Sequence, residues 1–210
     1  MFAEQKDIVN WEQLLDHLAE RDFAVVDSAF EAILLESLKD RLDQLWQEDE
    51  LEKAGIGTLG QYQIQEGIRG DYIQWLESGK HPAEEAFIQL MEEWRLLFNR
   101  GLFLNLESAE FHFAIYPEGS FYKRHLDQFK ERNNRIITFI LYLNPNWKAG
   151  DGGELRIYKG EEHLDIEPIY GRIVVFKSAA LEHEVLPTQV KRRSLTGWFL
   201  YRPEGLSFLG

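Results

Sequence analysis

The chain has no cysteine, which excludes a disulfide framework, a thiolate metal site and a cysteine nucleophile together. It has no apolar run approaching the roughly 20 residues that a membrane-spanning helix needs. Positive charge is scarce: 23 lysine and arginine residues face 36 aspartate and glutamate, a net charge of −13. That surplus opposes non-specific association with nucleic acid or an anionic membrane. Met1 to Asp7 lack the basic and apolar regions of a signal peptide, so a cytoplasmic location is expected. Apolar residues are plentiful, at 44% hydrophobic and 13% aromatic, which excludes a disordered or low-complexity chain. A chain of 210 residues can bury roughly 70% of its unfolded surface and needs no staples. The expectation is one domain over residues 1–210, with no internal repeat and no linker.

Periodicity divides that domain into a helical first part, 1–107, and a strand-rich part, 108–202. Asn10 is placed to cap a helix carrying Trp11, Leu14, Leu15 and Leu18 on one face. Phe23 to Val26 reads as a short buried strand. Ser28 is the expected cap of a second helix, with Leu34, Leu35, Leu38, Leu42 and Leu45 at helical spacing. Glycines from Gly55 to Gly70 make residues 55–80 read as mostly irregular or weakly paired, and a loop this long is often functional. Pro82 suits the first position of a third helix. From Ser108 the period becomes two, and Phe111, Phe113 and Ile115 alternate with His112, Ala114 and Tyr116. Turn residues punctuate four further β-rich runs, as in an antiparallel meander or jelly roll. The fold class expected is α+β, with the helices packed outside the sheet.

Of the six histidines, His17, His81 and His163 read as structural or solvated, and His112 as a core imidazole. His125 and Asp127 are two apart, so an extended strand sends both side chains from one face. Imidazole and carboxylate side by side chelate a divalent metal, and His183 supplies a third ligand from a distant strand. Two histidines and one carboxylate form the pattern of non-haem Fe(II) sites with open positions for co-substrate and oxygen. Zinc takes similar ligands, but its structural sites are closed and usually contain thiolates. Beyond His183, Arg192 is a candidate guanidinium for the planar anion of a dicarboxylate co-substrate. Tyr142 could add a phenol to the same carboxylate, or be a core tyrosine.

Several blocks recur together and in order: Gly67-Ile68-Arg69-Gly70-Asp71 with Trp75-Leu76, Tyr116-Pro117, and Tyr122-Lys123-Arg124-His125-Leu126-Asp127. After them come Tyr142-Leu143-Asn144, Gly152-Gly153-Glu154-Leu155-Arg156-Ile157, and His183-Glu184-Val185 with Pro187, Arg192 and Trp198. The chain resembles the 2-oxoglutarate- and Fe(II)-dependent prolyl 4-hydroxylases of the oxygen-sensing type, in their bacterial branch. The resemblance implies a double-stranded β-helix (jelly-roll) core with supporting N-terminal helices. It implies His125, Asp127 and His183 as iron ligands, with Arg192 and Tyr142 on the remote carboxylate of 2-oxoglutarate and Tyr116 near its keto-acid end. Ile140, Leu155, Val185 and Thr196 would line the pocket, with Trp198 at the reacting centre. Arg69 and Asp71 would stand at the root of a substrate loop, where Asp71 is expected to pair with Arg135. The cofactors implied are Fe(II), 2-oxoglutarate as co-substrate and O2, with ascorbate as an optional reductant. The implied partner is a protein presenting proline in an exposed loop, elongation factor Tu being the first candidate. The competing readings are a free amino acid or small molecule as substrate, or a non-catalytic regulator on the same fold. Basic residues in 119–135 and 185–202 suggest a locally positive entrance suited to an acidic loop.

Overall fold

A computed structural model describes residues 9–55, 67–128 and 134–201. The first helix, α1 (Trp11–Arg21), begins where Asn10 Oδ1 accepts the Gln13 N–H at 3.1 Å, and it buries Leu14 and Leu18. Strand β1 (Phe23–Val26) follows. Helix α2 (Ala32–Gln47) starts at Glu31 with no side-chain cap, later than expected. Ser28 has a φ of 58°, a left-handed conformation unlike the extended backbone of a capping residue. Ala29 and Phe30 are then buried before the helix begins. Short strands β2 (Glu52–Lys53) and β3 (Tyr72–Trp75) come next. In α3 (Pro82–Leu102), Pro82 occupies the first turn and His81 Nδ1 accepts the Ala83 N–H at 3.2 Å, so His81 is a cap.

The remaining strands are β4 (Leu106–Tyr116), β5 (Tyr122–His125), β6 (Arg135–Tyr142), β7 (Leu155–Lys159), β8 (Glu162–Ile166), β9 (Ile173–Lys177), β10 (Glu182–Val185) and β11 (Arg192–Tyr201). They form two antiparallel sheets, ordered β1-β9-β6-β11-β4-β3-β2 and β5-β10-β7-β8. This is the squashed barrel of a double-stranded β-helix. The nominally helical first part contributes both ends of the larger sheet. Strand β8 escapes the sequence pattern because only Ile166 is buried in it, so the period-two signal has no apolar partner residues. His163, expected in a turn, lies in this strand.

Alternation along the strands builds two cores. One face of the large sheet sends Phe111, Phe113, Phe139, Leu195 and Phe199 against Phe87, Met91, Trp94 and Phe98 of α3. Rings meet edge to face, as in Trp94 with Phe139 at 5.5 Å and Phe111 with Phe199 at 5.6 Å. Each such side chain contributes about 1.5–3 kcal/mol by leaving water. The other face looks into the barrel, where Ile140, Tyr142, Val174 and Phe176 meet Leu155 and Ile157 of the small sheet. Among the described residues, no helix is long and apolar enough to cross a membrane.

Candidate active site

Cross-strand register assembles the site on the inner face. His183 in β10 is the direct neighbour of His125 in β5, and their rings lie 4.3 Å apart. Asp127 lies just past the end of β5 rather than within the strand, yet its carboxylate reaches both imidazoles. The separations are 3.5 Å to His125 Nε2 and 3.6 Å to His183 Nε2. One ligand atom from each residue falls within 4.8 Å of the other two.

The surroundings fix which atoms face the centre. His125 Nδ1 meets the Lys123 carbonyl at 2.7 Å, and His183 Nδ1 meets the Leu181 carbonyl at 3.2 Å. A carbonyl only accepts, so each Nδ1 carries a proton and each Nε2 is the atom turned to the centre. Burial pushes the His183 imidazole down to about 4, so it is neutral and able to ligate near pH 7. For Asp127 burial opposes ionisation, yet the carboxyl is held well below the usual carboxylate range by the charge that the adjoining imidazoles carry when protonated, His183 first and then His125. Thr138 Oγ1 donates to Asp127 Oδ2 at 2.8 Å and itself meets Ser178 Oγ at 2.8 Å. The donor set is two nitrogens and one carboxylate, each braced from behind, with one side open to a pocket. That suits a divalent iron with exchangeable positions.

Arg192 lies in the wall of the same pocket and is 2% exposed. Its Nε donates to the Gly153 carbonyl at 2.8 Å and Nη1 to Ser194 Oγ at 3.2 Å. The guanidinium lies 4.9 Å from the Tyr116 ring and 5.0 Å from the Tyr142 ring. Among the described residues it has no carboxylate partner. The Tyr142 hydroxyl is likewise buried without a hydrogen bond. A buried cation without a carboxylate partner, beside a phenol without a hydrogen bond, has the chemistry to bind a carboxylate. Gly153 permits the approach: its φ is 76°, and a Cβ there would sit 2.9 Å from Arg192 Cδ.

Tyr116, Ile140, Leu155, Val185, Thr196 and Trp198 line the pocket together with the three candidate ligands, Arg192 and Arg69. Tyr142 is not among the residues lining the pocket, although its ring lies beside the Arg192 guanidinium. Arg69 holds Asp71 through two hydrogen bonds, 2.7 and 2.5 Å. This corrects the expected Asp71–Arg135 pair. Arg135 instead donates to Glu110 at 2.7 Å and stacks on Trp198 at 3.3 Å. Arg69 and Asp71 share one strand-like segment and need no long-range register to meet. Sequence reasoning missed Thr138, Ser178 and Tyr122, whose ring stacks on His125 at 3.8 Å. Thr138 was within reach, since it shares strand parity with Ile140 and Tyr142.

The expected positive entrance is largely neutralised where the structure describes it. Arg124 pairs with Glu182, Arg135 with Glu110 and Arg193 with Asp43, while Lys191 lies over the Trp46 ring. Lys130, Arg132, Arg202 and most of the glycine-rich loop lie outside the described residues.

A family model described as the 2OG-Fe(II) oxygenase superfamily matches residues 111–200. The crystal structure of a Pseudomonas putida prolyl-4-hydroxylase is similar with a TM-score of 0.84 and 39% identity, covering 92% of this chain and 100% of that one. A Trichoplax adhaerens prolyl hydroxylase, solved in complex with a hypoxia inducible factor oxygen degradation domain peptide fragment, gives 0.79 at 27% identity, with 90% and 88% covered. The curated mouse protein Prolyl hydroxylase EGLN3 is 29% identical over 197 residues, 90% of this chain and 82% of its own.

Proposed function

Because the chain belongs to the 2OG-Fe(II) oxygenase superfamily, we propose that it hydroxylates a prolyl residue at C4 in an exposed loop of a cytoplasmic protein. The observation that carries the reading is the buried Arg192, without a carboxylate partner among the described residues, beside the His125–Asp127–His183 cluster. A metal site alone fits many chemistries; a metal site with a dicarboxylate receptor fits few.

Iron(II), 2-oxoglutarate and O2 bound there supply the oxidation, in which one oxygen atom enters the substrate and the other enters succinate as carbon dioxide leaves. The protein's residues prepare that reaction. His183 offers a neutral Nε2 lone pair, His125 turns its Nε2 to the same centre, and Asp127 offers a carboxylate that stays ionised. Arg192, with the Tyr142 hydroxyl, takes the far carboxylate of 2-oxoglutarate and fixes its orientation before chemistry begins. Tyr116 stands by its keto-acid end. Ile140, Leu155 and Val185 keep water from the reacting atoms, and Trp198 closes the wall beside Arg135. Arg69 and Asp71 anchor the segment that leads into the substrate loop.

Support for a protein substrate comes from the relatives, one of which was solved with a peptide bound. Elongation factor Tu is the first protein to test. Incubation with iron(II), labelled 2-oxoglutarate and a cell lysate should yield succinate together with proline peptides heavier by one oxygen. Oxidation of free proline as readily as of any protein would reject the proposal.

A further inference from the structure

Strand β4 runs eleven residues, but β3 covers only His112 to Ile115 of its outer side. The last bond across that edge is from the Leu76 N–H to the Phe111 carbonyl, at 2.9 Å. The chain then turns off into α3, where Glu84 takes the Glu77 N–H and Glu85 takes the Gly79 N–H. A strand residue sends its N–H and C=O to one side, and successive residues alternate. Phe111 faces β3, so Ala109 faces the same way, toward an edge with no main-chain partner among the described residues; beyond it the ladder with β11 shifts register, with Glu107 as the extra residue. Ala109 is exposed.

Beside this edge lies a groove of about 580 Å³ lined by Trp75, Leu76, Ile88, Met91, Glu110 and Phe111, among others. It adjoins the iron pocket. Trp75 is 40% exposed, and its ring lies 5.0 Å from His112 and 6.3 Å from Trp198 of the pocket wall. Glu110 lines the groove while holding Arg135 of that wall. The pocket encloses only about 90 Å³, so a polypeptide must extend beyond it.

We propose that the β4 edge at Ala109, with this groove, receives the extended main chain flanking the target proline as an added strand in line with β3. The proposal rests on the prolyl hydroxylase reading. Proline has no N–H and cannot join a ladder itself, so its neighbours supply the bonds. Alternate side chains of the added strand then face Ile88 and Met91 or the pocket mouth.

The test uses the protein loaded with iron and 2-oxoglutarate and a library of peptides with a central proline and about six residues on each side, an ordinary strand length. Ala109→Pro removes an outward N–H and leaves the β11 ladder intact. Ile88→Lys puts a charge on the groove floor and serves if the first variant folds poorly. Each should raise the peptide KM about tenfold, the first by removing a ladder hydrogen bond and the second by burying a charge, with 2-oxoglutarate turnover in the absence of peptide unchanged. Hydrogen exchange should show the amides of 107–111 protected when peptide is added. Protection without proline oxidation upholds the docking edge and rejects the hydroxylase reading. Oxidation without protection, or an unchanged KM in both variants, overturns the docking edge alone. Protection that rises with enzyme concentration in the absence of peptide assigns the edge to a second copy and also overturns it.

Discussion

The two faces of the seven-stranded sheet are made of alternate residues of the same strands and do opposite work. On β11, Leu195 and Phe199 are wholly buried among the rings of α3, whereas Arg192, Ser194, Thr196 and Trp198 look into the barrel. The outer face holds the fold together. The inner face holds groups that cost stability, including a guanidinium without a carboxylate partner and two buried polar atoms without hydrogen bonds among the described residues. The sharpest way to break this comparison is one substitution on each face. Asp127→Ala should reduce 2-oxoglutarate turnover to background while leaving the melting profile cooperative. Phe139→Ala, on the other face of β6, should cost about 3–5 kcal/mol of stability, read from urea denaturation, while the folded fraction keeps its activity. Loss of folding in the first, or of turnover per folded molecule in the second, would show that the faces are not separable.

Arg192→Ala probes the inner face at its most exacting point. Removing a buried, hydrogen-bonded charge partner typically costs about 2–5 kcal/mol, so the KM for 2-oxoglutarate should rise at least about tenfold. Iron affinity in the absence of 2-oxoglutarate should not change, because Arg192 touches none of the three ligands. A fall in iron affinity matching the rise in KM would mean that the residue braces the metal site instead.

His112 tests whether inner-face groups carry a pH-dependent cost. Its ring is buried between Trp75 and Trp198, with Nδ1 on the Phe113 carbonyl at 3.1 Å. Burial pushes it down to about 4 from an ordinary 6.5. Between those values the unfolded chain binds a proton that the folded chain refuses, so stability falls as pH drops below 6.5 and levels off near 4. The full window corresponds to about 3 kcal/mol, and the part between pH 7.5 and 5 to about 2 kcal/mol. His112→Leu should lose that portion of the pH dependence in denaturant titrations at the two pH values. An equal decline in wild type and variant would place the cost elsewhere.

What could be read from sequence follows the range of the interaction. Parity within one strand is local, so the shared faces of Ile140 with Tyr142, of His183 with Val185, and of Arg192 with Thr196 and Trp198 were visible without coordinates. The helix starts at Asn10 and Pro82 were visible for the same reason. Partner choice across strands was not. Asp71 was assigned to Arg135, but the pairing of β4 with β11 and of β11 with β6 brings Glu110 to Arg135 and leaves Asp71 to Arg69. Ser28 failed as a cap because the burial of Ala29 and Phe30 delays the helix, a tertiary effect overriding a local preference. The β4 edge without a main-chain partner among the described residues was invisible too, since it arises where β3 stops at Trp75.

Arg193 should give the smallest effect. It stands one residue from Arg192 but points to the helical side, where its Nε donates to Asp43 of α2 at 2.7 Å. Both side chains keep about a fifth to a quarter of their surface in water, 21% and 25%. An ion pair of that kind contributes about 0–1 kcal/mol, and salt screens it further. Arg193→Ala should therefore leave the KM for 2-oxoglutarate within about twofold and lower stability by no more than about 1 kcal/mol. A double-mutant cycle with Asp43→Ala isolates the pair, and its coupling should shrink as salt rises. If Arg193→Ala raised the KM as far as Arg192→Ala, the register of β11 would be wrong by one residue. Every inner-face assignment made from that strand would then move to the opposite face.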